Sequence, residues 1–354
     1  MSGVDPTVQG RAWLPRAPLV VIATILVLAA LSFAREIVAP LALAAVLVVI
    51  VHPLRHPLER RGWPRWAANT VVIVVVYLIL AVLAALLVFA AGRFTVLVGD
   101  YVEQIGGVAD ATAAWLSSVG LDPATAESVV AAFDPARLLE LAQGVTGWLL
   151  GFATAFFFVL GYVIFMAADG GRYSGADRRF PGHARTVERI RSVNSAVRRY
   201  YVVNASFGAV VAVIDGLALW ALGIPAPAVW AILAFVTNFI PNIGFVIGLV
   251  PPAVLAFVIG GVPLMLAVVA VYCVVNVVLQ VLVQPKFVSD AVSISLTLSF
   301  FSVIFWTFVI GPLGAILSIP FTLLARELLI GEPTAARWWR WLSGDRDAAF
   351  VAPG

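Results

Sequence analysis

Carboxamide side chains recur where this chain carries no charge. Asn276, Gln280 and Gln284 stand at i, i+4 and i+8. At about 100° per residue, the three fall within roughly 80° of one another on a helix. A carboxamide both donates and accepts, so in apolar surroundings such a stripe either bonds to neighbouring helices or lines a passage for a polar solute. Asn238 and Asn242 belong to a second polar group, Thr237-Asn238-Phe239-Ile240-Pro241-Asn242-Ile243-Gly244. Ser295, Ser299 and Ser302 form a hydroxyl stripe, suited to close helix packing or to solute contact. Asp215 is the one acid between Tyr200 and Gln284. A charge at mid-bilayer costs at least about 2.5–3.5 kcal/mol, which makes Asp215 a candidate proton or monovalent-cation site. It also lies about 16 residues, or ~24 Å of helix, beyond Arg199, so an acid at the far interface, or one paired within the protein, fits equally. Lys286, after Pro285, and Asp290 read as interfacial residues or as gating charges.

The elements that hold these side chains are apolar. Of the 354 residues 62% are hydrophobic and 12% charged, outside the range of soluble domains. Seven stretches carry no charge at all, 17–34, 37–54, 66–92, 141–168, 200–214, 216–285 and 291–325, and together they make up well over half of the chain. About 20 apolar residues cross a ~30 Å hydrocarbon core. The pattern predicts an all-α integral membrane protein and excludes a soluble enzyme. Spans are expected over about 17–34 and 37–54, a helical hairpin turning at Arg35-Glu36, then over 67–91 and 147–168. Residues 92–147 hold Asp100, Glu103, Asp110, Asp122, Glu127, Asp134 and Glu140 against Arg93 and Arg137. Asp122-Pro123 and Asp134-Pro135 there resemble helix starts, so short capped helices outside the hydrocarbon are expected.

Basic loops fix the orientation. The tail 1–16, the turn 55–65 and the loop 169–199, with eight arginines against three acids, lie two spans apart. Arg-rich short loops stay cytoplasmic, which places the N-terminus inside and the acidic 92–147 segment outside. The same loops account for the net charge of +3 without a nucleic-acid partner. Tyr200 and Tyr201 open a fifth helix at a position suited to an interfacial belt.

The later half, 200–330, is apolar but broken. Pro241 blocks helix continuation, so two half-helices must meet there. A second break, from Gly311-Pro312-Leu313-Gly314 to Pro320, interrupts the uncharged run 291–325. Each broken stretch is long enough for a hairpin, and a span over about 262–283 separates the two, which predicts hairpins from opposite faces. Freed backbone groups are tolerated inside lipid only where protein or a watery cavity satisfies them, and paired broken segments mark the binding region of membrane transporters. The expected organisation is a tail (1–16), three spans (17–91), an outer segment (92–147), a fourth span with its basic loop (148–199), a transport core (200–330) and a cytoplasmic tail (331–354).

Catalytic signatures are missing: no Gly-rich Lys loop, no His-Glu-x-x-His, no Gly-x-Ser-x-Gly. His52, His56 and His183 are scattered, and Cys273 is the only cysteine, so neither a metal site nor a cofactor is expected. What remains is a family likeness. Asn238 to Gly244, followed by Val250-Pro251-Pro252, resembles the hallmark of the autoinducer-2 exporter family of bacterial membrane proteins. So do Leu222-Gly223-Ile224-Pro225, the Asn276/Gln280/Gln284-Pro285-Lys286 spacing and the run from Gly311 to Pro320. The resemblance is specific over about 200–330 and loose before it. It implies about eight membrane segments in the bacterial cytoplasmic membrane, cytoplasmic termini and a homo-oligomer, with a pentamer the family's suggestion. It also implies export of a small polar quorum-sensing signal of the autoinducer-2 type or, in some relatives, sodium or lithium exchange for protons. A membrane scaffold or sensor is the alternative outside transport. The polar stripe and the two breaks themselves place the substrate path at Asn238, Pro241, Asn242, Gly244, Asn276, Gln280 and Gln284, and hinge or gate functions at Pro285, Lys286, Gly311, Pro312, Gly314 and Pro320. Asp215 departs from the family's pattern, which has a small or apolar residue there.

Overall fold

Large apolar side chains point outward in this protein: Phe308, Phe157, Phe165 and Trp220 are all more than two-thirds exposed. That inverts the habit of a water-soluble fold and suits a surface solvated by lipid tails. The computed structural model describes residues 16–118, 135–170, 180–284 and 294–329, and among them there are helices and no strands. Pro285, Lys286 and Asp290, the Asp122-Pro123 helix start and the tail 331–354 lie outside the described residues.

Four described stretches are long and apolar enough to cross a membrane: Arg35–Arg60, Arg65–Tyr101, Thr186–Ala221 and Gly244–Val283. Four shorter apolar helices accompany them, Val21–Phe33, Ala153–Asp169, Pro227–Thr237 and Leu296–Ile310. Helix α1 (Arg16–Phe33) and α2 (Arg35–Val51) are joined by one non-helical residue, Ala34, rather than by a turn at Arg35-Glu36. After a 3₁₀ turn and α3 (Arg55–Arg60), the chain reverses through Gly62 into α4 (Arg65–Ser118). Helix α4 corrects the expectation of short capped helices after residue 91. It runs unbroken for 54 residues, about 81 Å at 1.5 Å per residue. An amphiphilic stretch can extend a helix once an apolar span has nucleated it, because each added residue then costs no new nucleus. Helix α5 (Pro135–Gly170) packs with α2 and α4 around Ala44, Val72, Val76, Val159 and Val163.

The rest of the chain builds the broken half. Helix α6 (Ala184–Ala221) is followed by a turn with left-handed backbone at Gly223 and Ala226. Pro227 then opens α7 (Pro227–Thr237), whose start is fixed by Trp230 Nε1 donating to the Pro225 carbonyl at 2.9 Å. At 11 residues α7 is about 16 Å long, half of a hydrocarbon core. It stops at the expected break, and α8 (Gly244–Asn276) returns beside it. Gly261 kinks α8 at φ 66°, ψ −162°, backbone that only glycine occupies readily. Past Asn276 the helix widens into a π segment, Val277–Val283. The second hairpin consists of α9 (Leu296–Ile310), a bend containing the short α10 (Pro312–Ile316), and α11 (Ser318–Leu329). Its two arms are tied by Trp306, which stacks on Phe321 and donates from Nε1 to Thr322 Oγ1 at 3.0 Å.

Candidate functional site

Small residues let the pieces of the site approach. Gly208 and Gly216 on α6 face α7: a Cβ on the first would meet Asn238 Nδ2, and one on the second would touch the Ala231 side chain. Asn238 therefore sits where the first break leans on α6. Its Nδ2 donates to the Asn204 carbonyl at 2.9 Å, and its Oδ1 accepts from Gln280 Nε2 at 2.8 Å. The same Gln280 nitrogen donates to Asn276 Oδ1 at 2.6 Å, and Gln284 Nε2 reaches Asn204 Oδ1 at 3.0 Å. One bonded cluster of amides thus links α6, the first break and the π segment. The wide π turn, common at functional sites, carries its middle residue Gln280 into that cluster. Of the predicted lining residues, the structure brings Asn238, Asn276, Gln280 and Gln284 together.

Asn242 and Gly244 stand apart from it. Asn242 takes left-handed backbone (φ 64°), is exposed, and donates from Nδ2 to Ser299 Oγ at 3.2 Å, so it ties the first break to α9. Gly244 is buried against the Thr237 carbonyl and fills a packing position. Pro241, half-buried, occupies the turn just before Asn242. The serine stripe is divided: Ser295 caps α9 by accepting from the Leu298 amide, Ser299 takes the Asn242 bond, and Ser302 is buried and donates to the Ser299 carbonyl.

The bend of the second hairpin extends further than expected, from Gly311 (φ 86°) to Leu317. Gly314 is buried in it, and Pro320 lies inside the first turn of α11, where a missing N–H is tolerated. Tyr200 and Tyr201, expected at an interfacial belt, are instead buried. The Tyr201 hydroxyl donates to the Ile316 carbonyl at 2.8 Å, satisfying a group that the bend frees, while its ring stacks on Phe239 of the first break. Interfacial preference gave way to a bonding task that only the tertiary fold sets.

Beside the amide cluster lies a cavity of about 10 Å³ open to the centre of a water molecule, about enough for one. Asp215, Thr237, Asn238, Tyr272, Asn276 and Gln280 line its polar side. Asp215 is fully buried, so it is not the solvated interfacial acid that its distance from Arg199 allowed. Neither of its oxygens, nor the Tyr272 hydroxyl, has a hydrogen-bond partner among the described residues. Sequence reasoning missed Asn204 and Tyr272, and it named Thr237 in the first break without giving it a role. Asn204 left a signal, an amide in the uncharged run 200–214; Tyr272 looks like an ordinary span residue. No group of three or more His, Cys, Asp or Glu able to hold a metal occurs among the described residues.

Comparison with known proteins gives a consistent result. A family profile described as "AI-2E family transporter" matches residues 21–330. "AI-2 transport protein TqsA" of Escherichia coli K12 is 29% identical over 318 residues, covering 88% of this chain and 90% of the relative. A "Putative transport protein" of Haemophilus influenzae is 26% identical over 336 residues, 93% of this chain and 97% of that one.

Proposed function

Because the chain belongs to the AI-2E family of transporters, we propose that it exports a small polar solute of the autoinducer-2 class across the bacterial cytoplasmic membrane, as a homo-oligomer. The amide cluster carries this reading. Asn238, Asn276, Gln280 and Gln284 are polar groups gathered at a helix break inside an apolar protein. An uncharged solute rich in hydroxyls is matched by groups that both donate and accept, and the cluster's bonds can be exchanged for bonds to such a solute. The two hairpins are the elements whose movement would open the cluster first to one face and then to the other. The likeness to the Escherichia coli AI-2 transport protein supports autoinducer-2 as the solute to try first.

Counterflow in proteoliposomes tests the proposal. Vesicles preloaded with unlabelled autoinducer-2 should take up the labelled compound at a rate well above protein-free vesicles, and equal rates would refute it. Sodium or lithium exchange for protons is the second reading, favoured by Asp215 in the cavity wall. Sodium-driven proton release without solute counterflow would support that reading instead.

The orientation follows from arginine. With 55–65 and 169–199 basic, both face the cytoplasm together with the N-terminus, and 92–147 faces outward. In a Cys273→Ser background, an impermeant thiol reagent added to intact cells should label a cysteine placed at position 120 and spare one at position 60. The reverse pattern would invert the topology.

A further inference from the structure

We propose that Asp215 is the proton-binding residue of the transport cycle, closed off in the present conformation and opened to water when the break at Asn238 moves. This rests on the solute-export reading and adds what drives it.

Asp215 is wholly buried, and among the described residues neither of its oxygens has a donor and no basic residue lines its cavity. A carboxylate in that state, inside an apolar protein, is stable only when something neutralises it. The elements packed around it offer little. The polar groups that α7 contributes to the cavity are Thr237 and Asn238, those of α8 are Tyr272 and Asn276, and that of the π segment is Gln280. Helices α2 and α11 meet α6 near Tyr200 and Tyr201, at the other end, and contribute nothing to the cavity. Of the described groups that line the cavity with Asp215, only Tyr272 titrates, and its hydroxyl has no hydrogen-bond partner among the described residues.

The choice between a proton and a metal cation follows from the remaining oxygens. Asn238 Oδ1 and Asn276 Oδ1 already accept the two N–H groups of Gln280. The Thr237 hydroxyl donates to the Leu233 and Ala234 carbonyls. A metal ion needs several oxygens at once and would have to compete with Gln280 for them, whereas a proton needs a single carboxylate oxygen. A cavity with room for about one water molecule also suits a proton delivered by water.

The site is joined to the moving parts. Gln280 and Asn238 touch both the cavity and the amide cluster, so a solute that takes their bonds alters the wall around Asp215. In the cycle, the carboxylate takes one proton from water on the outer side and is neutral while closed. It returns that proton to water on the inner side as solute leaves in the opposite direction.

Infrared spectroscopy of the full-length protein in lipid tests the proton site independently of any solute. A carbonyl band from a protonated carboxyl group should be present at neutral pH, titrate as the pH is raised, and be absent from a normally eluting Asp215→Asn variant. Identical spectra from wild type and variant at every pH would overturn the assignment. A titration displaced when sodium replaces choline at constant ionic strength would also overturn it, in favour of a metal-cation site. Coupling is then read in vesicles holding a pH-sensitive dye. Autoinducer-2 movement should shift the lumenal pH in wild type and shift it at least tenfold less in Asp215→Asn. Solute movement in wild type with no pH change would refute coupling. Absence of any autoinducer-2 movement in wild type would count against the exported solute alone, and the infrared titration would still decide the proton site.

Discussion

Replacing Gly244 or Gly314 with alanine is expected to destabilise the fold strongly and to cut the yield of folded protein. A Cβ built on Gly244 would lie 1.9 Å from the Thr237 carbonyl oxygen, and one on Gly314 would lie 1.9 Å from that of Trp306. Backbone oxygens at a helix end cannot swing aside like the tip of a side chain, so the arms of each hairpin would have to separate. Overpacking usually costs about 1–3 kcal/mol, and a clash with main chain belongs at or beyond the top of that range. Measured against a total stability of about 5–15 kcal/mol, that loss should show as aggregated or degraded protein on size-exclusion chromatography. Gly151→Ala, on a helix with nothing within 4 Å of the new methyl, is the control and should elute as wild type. Normal elution of both hairpin variants would mean that the arms do not approach so closely. A bulky Gly314 variant consequently reports on folding before it reports on movement of the bend.

The second large effect is expected at Gln280. Its Nε2 supplies both bonds that hold Asn238 and Asn276 together, so Gln280→Leu leaves two amide oxygens without that donor. Interhelical bonds in membrane proteins are worth about 0.6 kcal/mol each on average, so the variant should fold and remain in the membrane. Its counterflow of solute should nonetheless fall at least tenfold, because the cluster loses the one side chain that joins the π segment to the break. Thr95→Ala, which removes only a local bond to the Ala91 carbonyl, should transport normally. Wild-type counterflow from well-expressed Gln280→Leu would reduce the cluster to packing and place the solute path elsewhere.

Much of this architecture could be read from residue order. Uncharged runs located the apolar helices, because lipid excludes charge wherever the chain is not covered by protein. Pro241 and Gly311-Pro312 located both breaks, because proline and glycine act on the backbone locally. The stripe Asn276, Gln280, Gln284 was visible for the same reason, since a helix imposes its own spacing. What escaped depends on neighbours distant in sequence. Asn204 joins the amides only because Gly208 and Gly216 bring α7 against α6. Tyr201 looked interfacial because its bond to Ile316 spans 115 residues. Asn242 turned toward Ser299 because the residue after Pro241 adopts left-handed backbone, a detail of turn geometry. The continuation of α4 to Ser118 escaped because the acids after residue 91 mark water, and water does not end a helix.

That helix has a practical consequence for imaging. A hydrocarbon core of ~30 Å accounts for well under half of α4, which leaves on the order of 50 Å of continuous helical rod outside it. Small membrane proteins are hard to align in electron micrographs because the detergent belt hides their features. Here the rod emerges from the belt and gives each particle a built-in fiducial, so its tilt and rotation can be assigned without an added antibody fragment.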